Sequence, residues 1–230
     1  MNKVSKNNHR PAFALKCDIK KFFDSIDHEI LKRIIRNKVA DIDVLWLLDE
    51  IIDSYSVLPG KGVPIGNLTS QLFANIYLNE FDQFAKNKLK VKFYVRYTDD
   101  FVIISDKRGY LGNLLSSIQK FLGDDLRLKL HSQKVSIRKF RQGIDFLGCV
   151  ILPQHRCLRT KTKKRIFRRL ANRIKQYQKG IIEYKTLFFA VQSYLGVLFH
   201  INAFQLNQRL LNIFCFEEPN QQNKLTVKYG

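Results

Sequence analysis

Two adjacent carboxylates, Asp99 and Asp100, interrupt the run Phe93-Tyr94-Val95-Arg96-Tyr97-Thr98-Asp99-Asp100-Phe101-Val102-Ile103-Ile104, whose β-branched and aromatic side chains otherwise favour buried strands. Two strand-forming stretches joined by a short polar link predict a β-hairpin with the acids at its tip, although Thr-Asp is a less usual turn pair than Asn-Gly. A third acid, Asp18, ends the short strand-like run Ala14-Leu15-Lys16-Cys17-Asp18-Ile19. Three carboxylates raised on two neighbouring strands can hold two divalent cations. Hard ions such as Mg²⁺ take oxygen ligands and fill the rest of their shell with water and phosphate oxygens. Such an arrangement demands a sheet in which residue 18 and residues 99–100 share one end.

A chain of 230 residues, 45% of them hydrophobic, has room for one large domain or two small ones with an ordinary core. Forty basic against twenty acidic residues leave a formal charge of +20, an excess that implies an anionic partner. The excess is uneven: residues 1–152 carry 25 basic and 17 acidic side chains, whereas residues 153–230 carry 15 and 3. Lys161, Lys163, Lys164, Arg165, Arg168, Arg169, Arg173 and Lys175 crowd one helical segment. A run of charge is ordinarily a solvated helix face, yet almost no acid intersperses this one, which favours contact with nucleic acid.

The four cysteines form no C-x-x-C pair, and Cys149, His155 and Cys157 lack an evident fourth zinc ligand. They read as reduced thiols of a cytoplasmic protein. No apolar segment reaches the length of a membrane span, and residues 1–8 lack the apolar core of a signal peptide.

Apolar periodicity predicts a strand over 13–20, a helix near 27–38 with Asp27 at its cap, and a second helix over 44–55. Pro59, Gly60, Gly62, Pro64 and Gly66 then force a shaped loop. Asn67 or Thr69 can cap the long helix that follows, with Leu72, Phe73, Ile76, Tyr77, Phe81 and Phe84 on its core stripe. After the acidic hairpin come a helix over 111–122 and strands near 126–130, 134–139 and 144–152. Beyond Pro153 the pattern predicts helices only, on the stripes Ile166, Leu170, Ile174, Tyr177 and Leu187, Val191, Tyr194, Leu195, Leu198, with a third helix over 203–214 and a loose tail over 217–230. A domain boundary falls at about 153.

An Asp-Asp pair alone is most often a surface turn; here it has company. The order KCDIKKFFDSID, GVPIGNLTSQLFANIYLN, YVRYTDDFVIIS, LKLHSQK, IDFLG resembles the sequential motif set of reverse transcriptases over roughly residues 12–152. The GNLTSQ wording is most similar to the enzymes of diversity-generating retroelements. Group II intron and retron enzymes share the frame, but intron enzymes typically carry a Pro-Gln-Gly turn where this chain has Ile65. The resemblance implies an α+β fold: a polymerase palm of antiparallel sheet with packed helices over residues 1–152, followed by a basic, all-helical thumb and tail over 153–230. It implies an RNA-directed DNA polymerase that adds deoxynucleotides to a DNA primer on an RNA template with two Mg²⁺ ions, Mn²⁺ being the alternative. It also implies error-prone copying at template adenines and a small basic accessory protein.

Carried over position by position, the resemblance makes Asp18 and Asp99 the principal metal ligands and Asp100 the second acid of the hairpin, with the carbonyl of Ile19 completing one metal's shell. Phe23 resembles the ring that crowds a ribose 2′-hydroxyl, Phe22 being the alternative if the register is off by one. Gly62, Pro64, Ile65 and Gly66 form the loop beside template and incoming base, and Ser70 and Gln71 open the helix behind it. Lys134 resembles the lysine near the departing pyrophosphate, and Phe146-Leu147-Gly148 the hairpin that presents the primer end. Asp24 and Asp27 lie near Asp18 without an implied role, and Arg96 either faces a nucleic-acid backbone or balances local charge. Lys163, Lys164, Arg168 and Arg169 are the leading duplex contacts of the basic helices.

Members of the family carry a substantial fingers region before the first catalytic acid, and here only seventeen residues precede Asp18. Two readings therefore stand side by side. One is an active reverse transcriptase; the other is a truncated, catalytically silent relative that binds nucleic acid.

Overall fold

Leu15 and Cys17 are buried while Lys16 and Asp18 are half-buried, the period-two signature of a strand with one face on a core. In the computed structural model, which describes residues 2–5, 9–199, 201, 208 and 210–212, this strand is β1 (Phe13–Asp18). It lies inside a four-stranded sheet of order β2-β3-β1-β4, with β2 (Tyr94–Tyr97), β3 (Asp100–Ser105) and β4 (Ser136–Lys139). Each strand pair is antiparallel. A short helix α1 (Asn2–Ser5) precedes the sheet and α2 (Phe22–Ser25) follows β1. The longer helices are α3 (His28–Arg36), α4 (Ile42–Asp53), α5 (Leu68–Gln83) and α6 (Arg108–Asp124). Leu15, Cys17, Phe73, Tyr77, Phe81, Phe101, Ile103, Leu111 and Ile118 join sheet and helices in one apolar core.

The chain divides into two compact units, residues 1–144 and 145–230. The second holds most of a small sheet, β5 (Ile144–Phe146), β6 (Cys149–Ile151) and β7 (Arg156–Leu158), and then α7 (Thr160–Gln178) and α8 (Tyr184–Phe199). Leu170 and Ile174 of α7 meet Leu187, Val191 and Leu198 of α8 in a separate core. Among the described residues no helix is long and apolar enough to cross a membrane.

Several expectations from the sequence need correction. Residues 126–130 do not form a strand. Leu126 and Leu128 are buried in the core, Tyr77 Oη donates to the Leu126 carbonyl at 2.8 Å, Arg127 takes φ 50°, and only Leu130 bridges to Ile19. The single strand expected over 144–152 is a hairpin, folded at Leu147 (φ 53°) and Gly148 (φ 79°). Two consecutive positive φ values match the twist of the flanking strands. Helices do not follow Pro153 directly, because residues 152–155 turn back, with Leu152 N–H donating to the His155 carbonyl, and feed β7. In α5, Leu72 faces solvent rather than the core. The helix expected over 203–214 lies largely, and the tail over 217–230 wholly, outside the described residues.

Asp27 caps α3 as the sequence suggests: its Oδ1 accepts from Ile30 N–H at 3.3 Å, and its Oδ2 accepts from Arg127 Nη1 at 2.8 Å. Burial by itself would raise this carboxyl, but the Arg127 guanidinium and the Ile30 N–H hold it below the usual range. A folded pKa below the unfolded one gives stability that is present above the ordinary carboxylate range and is lost as pH falls through the folded value. Asp27→Ala is expected to lower unfolding stability at pH 7 by about 1–2 kcal/mol, with the gap to wild type closing under strong acid. Parallel stability curves from pH 7 to pH 2 would refute this role.

Candidate functional site

Pairing in β1 and β3 sets Asp18 directly opposite Asp100. Directly opposed residues of an antiparallel pair project to the same face, so these two carboxylates share one side of the sheet. In the neighbouring pair Tyr97 stands opposite Asp100, which closes a two-residue turn of Thr98 and Asp99. The carbonyl of Asp99 accepts from Ile19 N–H at 3.1 Å. Residue 18 and residues 99–100 therefore meet at one end of the sheet, the juxtaposition that the sequence required.

Like charges directly opposite one another destabilise a sheet unless cations accompany them. Two lysines do so. Lys134, on the turn before β4, places its Nζ 2.9 Å from Oδ1 and 3.0 Å from Oδ2 of Asp18. Lys16 reaches Asp100 Oδ2 at 3.1 Å. Burial pushes the Asp100 carboxyl above its usual range; the Lys16 ammonium opposes that rise, and the charges of Asp18 and Asp99 add to it. The charges of Asp18 and Asp99 thus both reach Asp100.

Asp100 Oδ1 is buried without a hydrogen-bond partner, an acceptor that a hard cation would satisfy. The donor chemistry of the corner fits Mg²⁺. Among the described residues, however, no three His, Cys, Asp or Glu side chains are grouped tightly enough to hold a single ion.

A strained turn carries the acids. Thr98 is β-branched and takes φ 50°, where such residues are outliers. Its carbonyl accepts from Arg96 Nη1 at 3.0 Å, and its hydroxyl donates to Asp99 Oδ1 at 2.9 Å. Arg96 is in turn gripped by Asp82 of α5, through Nε to Oδ1 at 2.8 Å and Nη2 to Oδ2 at 2.5 Å, and Tyr94 Oη donates to the same Oδ1 at 2.6 Å. Arg96 therefore does not face outward to a nucleic-acid backbone; it ties the hairpin to α5.

A cavity of about 560 Å³ beside the turn brings together Phe23, Gln71, Asn75, Tyr97 and Thr98. It separates the two phenylalanine registers: Phe23 lines this space, whereas Phe22 is buried in the core. The loop before α5 is less uniform than its motif suggests. Gly62 is fixed from inside, because a Cβ there would come within 2.9 Å of Val57 Cγ2, and its carbonyl accepts from His28 Nε2 at 2.7 Å. Gly66, at φ 104°, faces open space, and Pro64 is half-buried beside Ile65, which is 78% exposed. These loop residues do not line the cavity.

In the second unit Leu147 is exposed at the tip of the β5–β6 turn, with Phe146 buried behind it and Gly148 half-buried. On α7 the buried stripe Ile166, Leu170, Ile174 leaves Lys164, Arg168 and Arg169 exposed, while Lys163 is half-buried.

Sequence reasoning missed Lys16 and Asp82. Lys16 was legible, since residue i−2 on a strand shares the face of Asp18. Asp82 was not, because nothing local reveals that a helix acid sits over alternate residues of β2.

Residues 2–151 match the family described as reverse transcriptase (RNA-dependent DNA polymerase). Among curated proteins, Protein YkfC of Escherichia coli (strain K12) is 24% identical over 192 residues, covering 67% of this chain and 49% of that protein. The group II intron-encoded protein LtrA of Lactococcus lactis subsp. cremoris is 37% identical over 82 residues, covering 33% of this chain and 14% of that protein. The chain spans about half, or less, of the length of the curated relatives it matches. Among solved structures, telomerase from Candida tropicalis in complex with a fragment of telomeric RNA superposes with a TM-score of 0.57 at 14% identity, over 94% of this chain and 42% of that one. Telomerase from Candida albicans gives 0.55 at 13% identity. At such identities the likeness shows the fold alone, an α+β fold with packed helices.

The electrostatics of the acidic corner carry an expected outcome. A carboxyl whose folded pKa is raised loses stability as pH climbs from its unfolded to its folded value. Asp100→Asn is therefore expected to raise the melting temperature at pH 7, and the gain should vanish as pH drops below the ordinary carboxylate range. A lower melting temperature at pH 7 would show that the Lys16 pair outweighs burial and repulsion.

Proposed function

The chain belongs to the reverse transcriptase (RNA-dependent DNA polymerase) family, and from that premise we propose that it is the nucleic-acid-handling core of a retroelement RNA-directed DNA polymerase. The reading best supported is a core that binds template and primer but does not extend by itself. One observation carries it. Among the described residues no three His, Cys, Asp or Glu side chains are grouped tightly enough to hold a single ion, while α7 offers an exposed cationic face with no acid in its sequence. Such a face suits the phosphates of a duplex and gives little base discrimination.

A second reading, the two-metal polymerase, is favoured by the unpartnered buried Oδ1 of Asp100 and by the convergence of three acids at one sheet end. In it Asp18, Asp99 and Asp100, with the Ile19 carbonyl, would hold the ions. Bound Mg²⁺ supplies neutralisation of phosphate charge and an activated primer hydroxyl. Phe23 walls the space for a deoxyribose, and Gln71 shares that wall. Gly62, Pro64, Ile65 and Gly66 border template and incoming base, and Phe146, Leu147 and Gly148 present the primer end. Lys134, drawn off Asp18, faces the departing pyrophosphate. The first unit then acts as palm and the helices of the second as thumb, on an RNA template with deoxynucleoside triphosphates. Kinship with diversity-generating retroelements, and with it a small basic accessory protein, rests on the GNLTSQ wording and Ile65.

Primer extension on an RNA template with Mg²⁺ separates the two readings. The first expects retained binding and no extended product from wild type, Asp99→Asn or Asp100→Asn. Extension by wild type that Asp99→Asn abolishes would transfer the conclusion to the second, and extension that survives both substitutions would remove the acids from the mechanism.

Binding itself should fall steeply with salt. Replacing Lys164, Arg168 and Arg169 by Gln is expected to flatten the slope of log K against log salt by about 0.7–0.9 for each phosphate contact removed. An unchanged slope would place the duplex elsewhere on the chain.

A further inference from the structure

Seven large apolar side chains stand exposed on α4 and the segment after it, among them Ile42 at 80%, Trp46 at 65% and Leu58 at 61%. Single exposed leucines are ordinary, whereas a run of this density along one helix marks an interaction surface. Its charge is as unusual as its apolarity. Residues 39–60 hold five acids, Asp41, Asp43, Asp49, Glu50 and Asp53, and no lysine or arginine, in a chain whose formal charge is +20.

Packing sorts these groups by side of the helix. Ile52 is buried, and Leu45, Leu48 and Ile51 pack against the core of the first unit. Two acids turn to α3: Asp49 pairs with Arg36, and Asp53 accepts from Lys32 Nζ at 2.6 Å. Asp41 caps α4, accepting from Asp43 N–H and Val44 N–H at 3.0 Å. Asp43 and Glu50 form no ion pair among the described residues. Asp43, Trp46, Leu47 and Glu50 follow the spacing i, i+3, i+4, i+7 and are all exposed, so one outward stripe carries an acid at each end with an indole and a leucine between them.

We propose that this stripe of α4 is the docking face for a basic amphipathic helix of another protein, one that sets aliphatic side chains on Trp46 and Leu47 and lysine or arginine beside Asp43 and Glu50. Charge selects the occupant. The phosphates of nucleic acid and anionic lipid headgroups are repelled by unpaired acids. A second copy fits poorly: α4 against α4 would set like charges together, the exposed face of α7 is basic but bears no exposed large apolar side chain, and α8 exposes apolar side chains beside a single lysine. An extended segment docks by adding to an open sheet edge, which a helix face does not offer. Ridges of one helix seat in the grooves of another, with an aromatic residue as the common anchor. The inference stands apart from both readings of the acidic corner, since no residue of α4 lies at that corner or lines the cavity beside it.

Trp46 is the single tryptophan of the chain, so its fluorescence reports on this face alone. The whole chain, titrated with a tryptophan-free helical peptide of leucine and lysine at amphipathic spacing, is expected to pass from a hydrated, acrylamide-accessible emission to a blue-shifted, shielded one. The same peptide with glutamate in place of lysine should leave the emission unchanged. Asp43→Lys/Glu50→Lys should weaken the leucine–lysine peptide at least about tenfold, because like charges then face one another, and Leu47→Asn should weaken it with both acids intact. Asp106→Lys/Asp124→Lys, the same change of charge at exposed acids elsewhere, should bind as wild type does, and matched melting temperatures exclude misfolding. The proposal is overturned by an emission already blue-shifted and shielded in the free chain, by no shift with the leucine–lysine peptide, by an equal shift with the glutamate peptide, or by equal affinity in wild type, the charge-reversed variant and Leu47→Asn. It is overturned as well if the chain's own concentration or zwitterionic vesicles produce the shift and the peptide does not, which would give the face to a second copy or to lipid.

Discussion

The antiparallel register between β1 and β3 governs everything else in the first unit, because it forces the carboxylates of Asp18 and Asp100 onto the same face at the same sheet end. Two negative charges so placed repel, and the chain answers with positive charge from two directions. Lys16 comes from the same strand, two residues back. Lys134 comes from a turn more than a hundred residues downstream. The acidic corner is thus a balanced cluster whose charge can be exchanged: any cation bound there competes with ammonium groups already in place.

Rigidity reaches the corner through a chain of contacts that begins in the core. Phe81, fully buried on α5, packs on Tyr94 and Phe101, so the helix is locked to both strands of the hairpin. One residue on, Asp82 takes Tyr94 and Arg96, and Arg96 takes the carbonyl of strained Thr98. The left-handed turn is over-determined by these contacts, which is how a β-branched residue persists there. Beside Asp100 the Cys17 thiol, pushed up to about 12 by burial and then by the Asp100 charge, stays protonated and acts as packing.

The second unit follows a separate logic. Its core is a pair of helices packed by leucine, isoleucine and valine, and its outward face on α7 is charged without acidic relief. Charge on that face is not needed for packing, since the buried stripe is uninterrupted. It is available for an anionic surface.

Local pattern made much of this legible: the acids at a hairpin tip, β1 by its alternation, the Asp27 cap, and the amphipathic character of α7 all follow from spacing and side-chain chemistry. The sequence also carried the family, since the motif order survives without structure. Segments whose state is set by distant partners were not readable. Residues 126–130 look like a strand but are drawn into the core by Tyr77, and residues 144–152 look continuous but fold back at Leu147, a residue that ordinarily avoids left-handed backbone. Only the tertiary structure decided that Phe23 rather than Phe22 faces a cavity, that Gly62 answers to Val57, and that Arg96 turns inward to Asp82. The physical reason is one of range: periodicity and capping act over a few residues, whereas ion pairs, close approaches and cavities depend on which segments the sheet register brings together.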